Sequence, residues 1–178
     1  MYDLHKLLAE SYLMFYINKN LVNGACLRLS NVYGPGPKTS EDDRGILNSM
    51  VRKALQKEKL TIYGTGDFIR DYIFIDDVVS AFLACPCHLK RTNGNHYVVG
   101  SGKGYSVKEA INMVARVVER IVGLKVNVIS VEPPDGLLDI EYRHFVADNS
   151  NLKLDTGWFV STDLEEGVVK TVNKFRSN

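Results

Sequence analysis

The chain has 178 residues, 45% apolar and 24% charged, and its 22 Lys and Arg against 21 Asp and Glu leave a net charge of +1. That composition excludes a disordered or fibrous chain, and the near-neutral charge gives no broad attraction for nucleic acid or an anionic leaflet. No apolar run approaches the roughly 18 residues of a membrane helix, and Cys26, Cys85 and Cys87 cannot form a closed disulfide set, so a soluble cytoplasmic protein is expected.

Tyr2 to Lys19 carries Leu4, Leu7, Leu8, Tyr12, Phe15 and Tyr16 at helical spacing and reads as one amphipathic helix. Ala25 to Leu29 is a short apolar strand running toward Gly34-Pro35-Gly36-Pro37, which breaks any regular element. Residues 38 to 44 form a charged loop before a helix over Ile46 to Leu55. Leu60 to Tyr63 and Asp71 to Ile75 read as two strands joined by a glycine-bearing loop, after which Asp76 or Asp77 caps a helix to about Ala84. His96 to Val99 is a strand, and Gly100, Gly102 and Gly104 read as a surface turn. Ser106 and Glu109 form a capping box that opens a long helix through Val122. Lys125 to Val131 is a strand, and Pro133-Pro134-Asp135-Gly136 starts a loop. Asp148 or Ser150 then caps a short helix, and Leu164 to Phe175 closes the chain as an amphipathic helix.

Strands alternating with helices predict a layered α/β fold with parallel pairing. No strand is followed by the G-x-G-x-x-G turn that would bind a dinucleotide, since Gly100, Gly102 and Gly104 have the wrong spacing. Cys85, Cys87 and His88 crowd three donors into four residues with no second cluster, so they read as thiols at a helix end and no metal is expected.

Tyr2 and Lys6 stand one helical turn apart, a pair that nine tyrosines and thirteen lysines produce by chance about once. Their neighbours give them weight: YDLHK at 2 to 6, LRLSNVYGPG at 27 to 36, LTIYGTGDFIRDYIFIDDV at 60 to 78, YVVGSGKGYSVKE at 97 to 109 and RHFVADNSNLKLDTGW at 143 to 158. In that order the segments resemble the second half of the nucleotide-sugar epimerases and dehydratases of the extended short-chain dehydrogenase/reductase family. The likeness runs through residues 1–178 as one substrate-binding unit. It implies an incomplete Rossmann-like α/β fold lacking the N-terminal βαβ units, with the dinucleotide-binding first half expected before Tyr2.

The resemblance assigns roles residue by residue. Tyr2 becomes the acid/base group that takes a proton from the sugar hydroxyl while hydride leaves for NAD, and Lys6 its partner, also holding the cofactor ribose. A phenol of pKa near 10 needs roughly 4 kcal/mol of selective phenolate stabilisation to act near pH 7, which a neighbouring ammonium helps to supply. Asn31 falls on the substrate side of the NVYGP segment and Val32 against the nicotinamide. Arg70 suits the diphosphate on chemical grounds too, because a guanidinium bonds phosphate bidentately. Tyr63 matches an aromatic beside the nucleotide base, and Arg143 a further diphosphate-binding arginine. Asp71, expected to pair with an arginine, and the cap aspartates stay outside the site. His5, Val98 and Thr156-Gly157-Trp158 depart from the usual pattern and mark a divergent member.

The partner implied is a nucleotide-diphosphate sugar and the cofactor NAD, with homo-oligomer formation a hypothesis. The 178 residues alone are expected to be inactive, because hydride transfer needs a cofactor held against the sugar. The alternative is a non-catalytic nucleotide-sugar-binding or interaction module.

Overall fold

The computed structural model describes residues 2–36, 45–134, 136 and 139–177, with Tyr2, Asp3, Asp139 and Glu141 described by backbone alone. The charged run 38–44 and part of the loop after Pro134 lie outside the described residues.

Helix α1 (Tyr2–Asn18) leads to strand β1 (Cys26–Leu29), and after Ser30 a second strand, β2 (Asn31–Tyr33), continues in a new direction of pairing. Helix α2 (Ile46–Leu55), strands β3 (Leu60–Tyr63) and β4 (Ile69–Phe74), and helices α3 (Ile75–Cys87) and α4 (Leu89–Thr92) follow. Strands β5 (His96–Val99) and β6 (Gly104–Ser106) precede helix α5 (Val107–Val122) and strand β7 (Val128–Val131). A 3-10 turn at Asp139–Tyr142 and helices α6 (Ser150–Thr156) and α7 (Leu164–Arg176) complete the chain.

The pairing is mostly parallel, as the alternation of strands and helices predicts: β1 with β5, β2 with β4, and β3 with β7. The exception is β6, which runs antiparallel along the other edge of β4. Strand β4 separates two cores through its alternation. Tyr72 and Phe74 face one with Tyr33, Leu47, Ile111, Val114 and Val168, under α2, α5 and α7. Ile73 faces the other with Val78, Tyr97, Val99, Leu152 and Trp158, under α3 and α6. Each fully buried Ile, Leu or Phe among them contributes about 1.5–3 kcal/mol, so the two faces of β4 carry much of the stability.

Helices α2 and α5 and strands β3 and β5 have the expected bounds, and the Ser106–Glu109 box forms with both of its reciprocal bonds. Several expectations are corrected. Helix α1 presents Leu4, Leu7, Leu8, Tyr12, Phe15 and Tyr16 to the outside and is seated instead through Leu13, Met14 and Ile17. Its apolar residues run around the helix, so spacing alone does not say which ones pack. The residue before α3 is Phe74, with no side-chain cap, and Asp76 and Asp77 lie inside the first turn. Helix α6 starts after Asn149, although Asp148 does accept the Ser150 amide at 3.0 Å. Gly100 is buried, and Gly104 belongs to β6 rather than to a turn. Cys85 sits in the second core while Cys87 in the same turn is exposed, so the two thiols do not converge.

Candidate functional site: a cleft beside β2, β4 and α2

The change of sheet at Ser30 builds the site. Its amide continues the β1–β5 ladder by donating to the Val99 carbonyl at 2.9 Å, and its hydroxyl reaches Asp71 at 3.4 Å. Asp71 is fully buried, and among the described residues its hydrogen-bond partners are serine hydroxyls and backbone amides rather than an arginine. Oδ1 accepts the Ser101 amide and hydroxyl at 2.7 and 2.8 Å, and Oδ2 accepts the Gly102 and Ala147 amides at 2.9 and 3.1 Å. One carboxylate therefore ties together the β1–β2 seam, β4, the turn after β5 and the segment before α6. Gly100 is needed beside it, because a Cβ there would stand 2.8 Å from Asp71 Oδ2 and 2.3 Å from the Ala147 Cβ.

After β2 the chain is gripped by α2. Asn48 accepts the Gly34 amide at 3.1 Å and donates to the Gly34 carbonyl at 3.0 Å. Gly34 takes φ +138°, and a Cβ would lie 2.5 Å from Ile75 Cγ2, so glycine is required at this turn.

Between these anchors opens a cleft of about 690 Å³, within the range of small-molecule sites. Leu29, Ser30, Asn31 and Val32 line it, with Phe68, Arg70 and Tyr72 from the β4 region, Thr61 and Tyr63 from β3 and Lys53 from α2. Strand register orders part of this wall. Asn31 stands opposite Tyr72 in the β2–β4 pair, and Arg70 lies two residues earlier on the same face of β4.

Of the residues expected at a site, the structure brings together Asn31, Val32, Tyr63 and Arg70. Tyr63 is 49% exposed and Arg70 only 7%. Arg70 Nη1 donates to the Ile69 carbonyl at 3.2 Å and to the Arg143 carbonyl, so two backbone carbonyls orient the guanidinium through one of its terminal nitrogens. Arg143 itself does not join the lining: its side chain is exposed, with Nη1 3.5 Å from the Ile140 carbonyl. The segment around it is nevertheless strapped along β4. Phe145 donates to Ile69 O at 3.0 Å, Ile69 N lies 3.2 Å from His144 Nδ1, and Tyr142 packs edge-on against Phe68 with centroids 5.0 Å apart. Lys6 is exposed on α1, and the Tyr2 side chain lies outside the described residues.

Helix α1 packs beside β1 in a defined direction. Ile17 lies over Gly94, where an added Cβ would stand 3.6 Å from its Cγ2, and Leu13 lies over Gly24 at 3.7 Å on the same measure. One turn nearer its start, Glu10 accepts two hydrogen bonds from Arg28 at 2.6 and 3.1 Å. This bidentate pair holds the Glu10 carboxyl below the usual glutamate range. Going backward along α1 thus means going forward along β1, toward Ser30 and Asn31.

The sequence reading missed Tyr72, Lys53 and Phe68 as cleft residues. Tyr72 was legible by strand alternation from Arg70; Lys53 and Phe68 become neighbours of the cleft only through tertiary packing.

Residues 1–100 match the description "NAD dependent epimerase/dehydratase family", more than half of the chain. The chain belongs to that family. It is 28% identical over 99% of its length to a putative UDP-glucose 4-epimerase of Methanocaldococcus jannaschii. It superposes with TM-score 0.80 and 28% identity, over 97% of its residues, on the Thermotoga maritima UDP-glucose 4-epimerase with UDP-glucose. The Thermus thermophilus UDP-glucose 4-epimerase complex with NAD matches with TM-score 0.74 and 28% identity over 94% of the chain. These matches cover 53%, 52% and 51% of the relatives, so the chain spans about half their length. The α/β architecture with parallel sheets is that of the corresponding half of these Rossmann-like enzymes, in a family that is NAD dependent. Among the described residues, no helix is long and apolar enough to cross a membrane.

Proposed function

We propose that this chain is the sugar-nucleotide-binding and acid/base portion of an NAD-dependent nucleotide-sugar epimerase or dehydratase. The observation that carries the reading is the meeting of Asn31, Tyr63 and Arg70 in one cleft, although 32 residues of sequence separate Asn31 from Tyr63. Arg70 is a buried cation oriented by backbone carbonyls, suited to a diphosphate, and Asn31 beside it adds amide donors. Tyr63, half exposed at the end of β3, offers a ring face to a nucleotide base. Arg143 serves Arg70 through its carbonyl, and its exposed side chain would add a second guanidinium to the diphosphate.

The direction of α1 supports Tyr2 and Lys6 as the acid/base pair. From Glu10 to the level of Tyr2 the helix rises about 12 Å, and it runs toward the end of β1 whose Leu29 lines the cleft. There Lys6 would stabilise the Tyr2 phenolate, and Tyr2 would take the proton of a sugar hydroxyl and return it later. Leu29 and Val32 are apolar residues of the cleft lining and suit the face of a nicotinamide ring, and Lys6 would reach the adjoining ribose. Bound there, NAD supplies the acceptor for the hydride that leaves with the proton.

Calorimetric titration with UDP, dTDP, GDP and CDP sugars tests the reading. At least one should bind, and Arg70→Ala should weaken it by tenfold or more. Arg70→Lys keeps a cation in place of the fork and should fall between the two. Unchanged affinity in a folded Arg70→Ala protein would remove the diphosphate assignment.

A further inference from the structure

Tyr72 is the side chain among the described residues that has a fully buried polar atom with no hydrogen-bond partner. It is 3% exposed and its ring packs in the first core with Tyr33 and Phe74. The ring also forms a partition, lining both the cleft and a smaller neighbouring cavity of about 300 Å³. A buried hydroxyl left unpaired destabilises a protein, whereas phenylalanine would fill the same space without that cost. Tyr33 shows the contrast, since its equally buried hydroxyl donates to the Leu164 carbonyl at 3.2 Å.

The place of Tyr72 in the cleft indicates what satisfies it. Asn31 is its strand partner and Arg70 its neighbour on the same face of β4, and all three line the cleft, so a ligand held by Asn31 and Arg70 lies next to Tyr72. We propose that the Tyr72 hydroxyl donates a hydrogen bond to an oxygen of the bound ligand, a phosphate oxygen of the nucleotide diphosphate. The assignment to phosphate rests on the function proposed above. Burial pushes the hydroxyl up to about 12 with Arg70 partly offsetting it, so the group keeps its proton and acts as a donor throughout the neutral range. The buried hydroxyl is thus a binding contact made in advance, at the expense of stability.

Two measurements on Tyr72→Phe test this, with UDP as the probe. Affinity for UDP should fall about tenfold, the effect of losing one hydrogen bond to a charged group. The melting temperature without ligand should be equal to or above that of the wild type, while Tyr33→Phe, which breaks an internal bond, should melt lower. Uridine, which lacks phosphates, should bind wild type and Tyr72→Phe alike. Unchanged UDP affinity, an equal loss for uridine, or a lower melting temperature without ligand would each overturn the proposal. If Arg70→Ala weakens UDP and Tyr72→Phe does not, only this contact fails. If UDP does not bind the wild-type chain, the diphosphate reading fails and takes this contact with it.

Discussion

Asp71 and Asp77 are both buried, and each uses both carboxylate oxygens on partners far away in sequence. Asp77 Oδ1 accepts the Ser161 amide and hydroxyl at 2.9 and 2.6 Å, and Oδ2 accepts the Thr162 amide at 3.1 Å. Because their partners are backbone amides, replacing a carboxylate with an amide turns some acceptors into donors facing donors. Asp71→Asn should therefore lower the unfolding free energy by about 2–4 kcal/mol, read from the urea midpoint. The same substitution should loosen the cleft, because Ser30 and Ala147 lose a common anchor. Gly34 acts by a different route. Its φ of +138° and the 2.5 Å approach to Ile75 predict that Gly34→Ala costs at least about 1–3 kcal/mol. A Gly34→Ala protein with an unshifted denaturation curve would show that the loop relaxes freely, contrary to the grip of Asn48.

Helix α5 is the element whose sequence signals are most self-contained. Ser106 accepts the Glu109 amide at 3.1 Å, Glu109 accepts the Ser106 amide at 2.8 Å, and Gly123 ends the helix at φ +72°. Ser106→Ala should cost about 1 kcal/mol. The two hydrogen bonds from Ser106 hold the Glu109 carboxyl below its ordinary value, so its contribution is present above the unfolded pKa near 4.3 and is lost as pH falls through the lower folded value. Wild type should accordingly melt above Glu109→Gln at pH 7 and converge with it toward pH 3, in paired thermal scans. Such local signals explain why α2, α5, β3 and β5 were legible to the residue. Strand β6 was not, because Gly104 to Ser106 becomes extended only by pairing with Ile69 to Asp71. The split of β1 from β2 was equally hidden, since it depends on Val99 and Asp71 meeting Ser30.

Across the whole molecule, the cleft was legible where motif residues line it directly, at Asn31, Val32, Tyr63 and Arg70, and illegible where packing decides, at Lys53 and Phe68. The same distinction governs α1, whose helical spacing is plain in the sequence while its packing face is not. In the fold, Leu4, Leu7, Leu8, Tyr12, Phe15 and Tyr16 lie open on one helix, and Leu29 adds an exposed apolar side chain on β1, which among the described residues pairs only with β5. Exposed apolar side chains of this kind, together with an open strand edge among the described residues, favour association. Sedimentation velocity over rising concentration should therefore show the 178-residue chain self-associating. Leu7→Glu combined with Tyr12→Glu should restore the monomer without lowering the melting temperature, because both side chains are more than half exposed in the fold. A wild-type chain that sediments as a monomer at every concentration would mean that this surface is too dispersed, or too well covered by its own flanking polar residues, to drive contact.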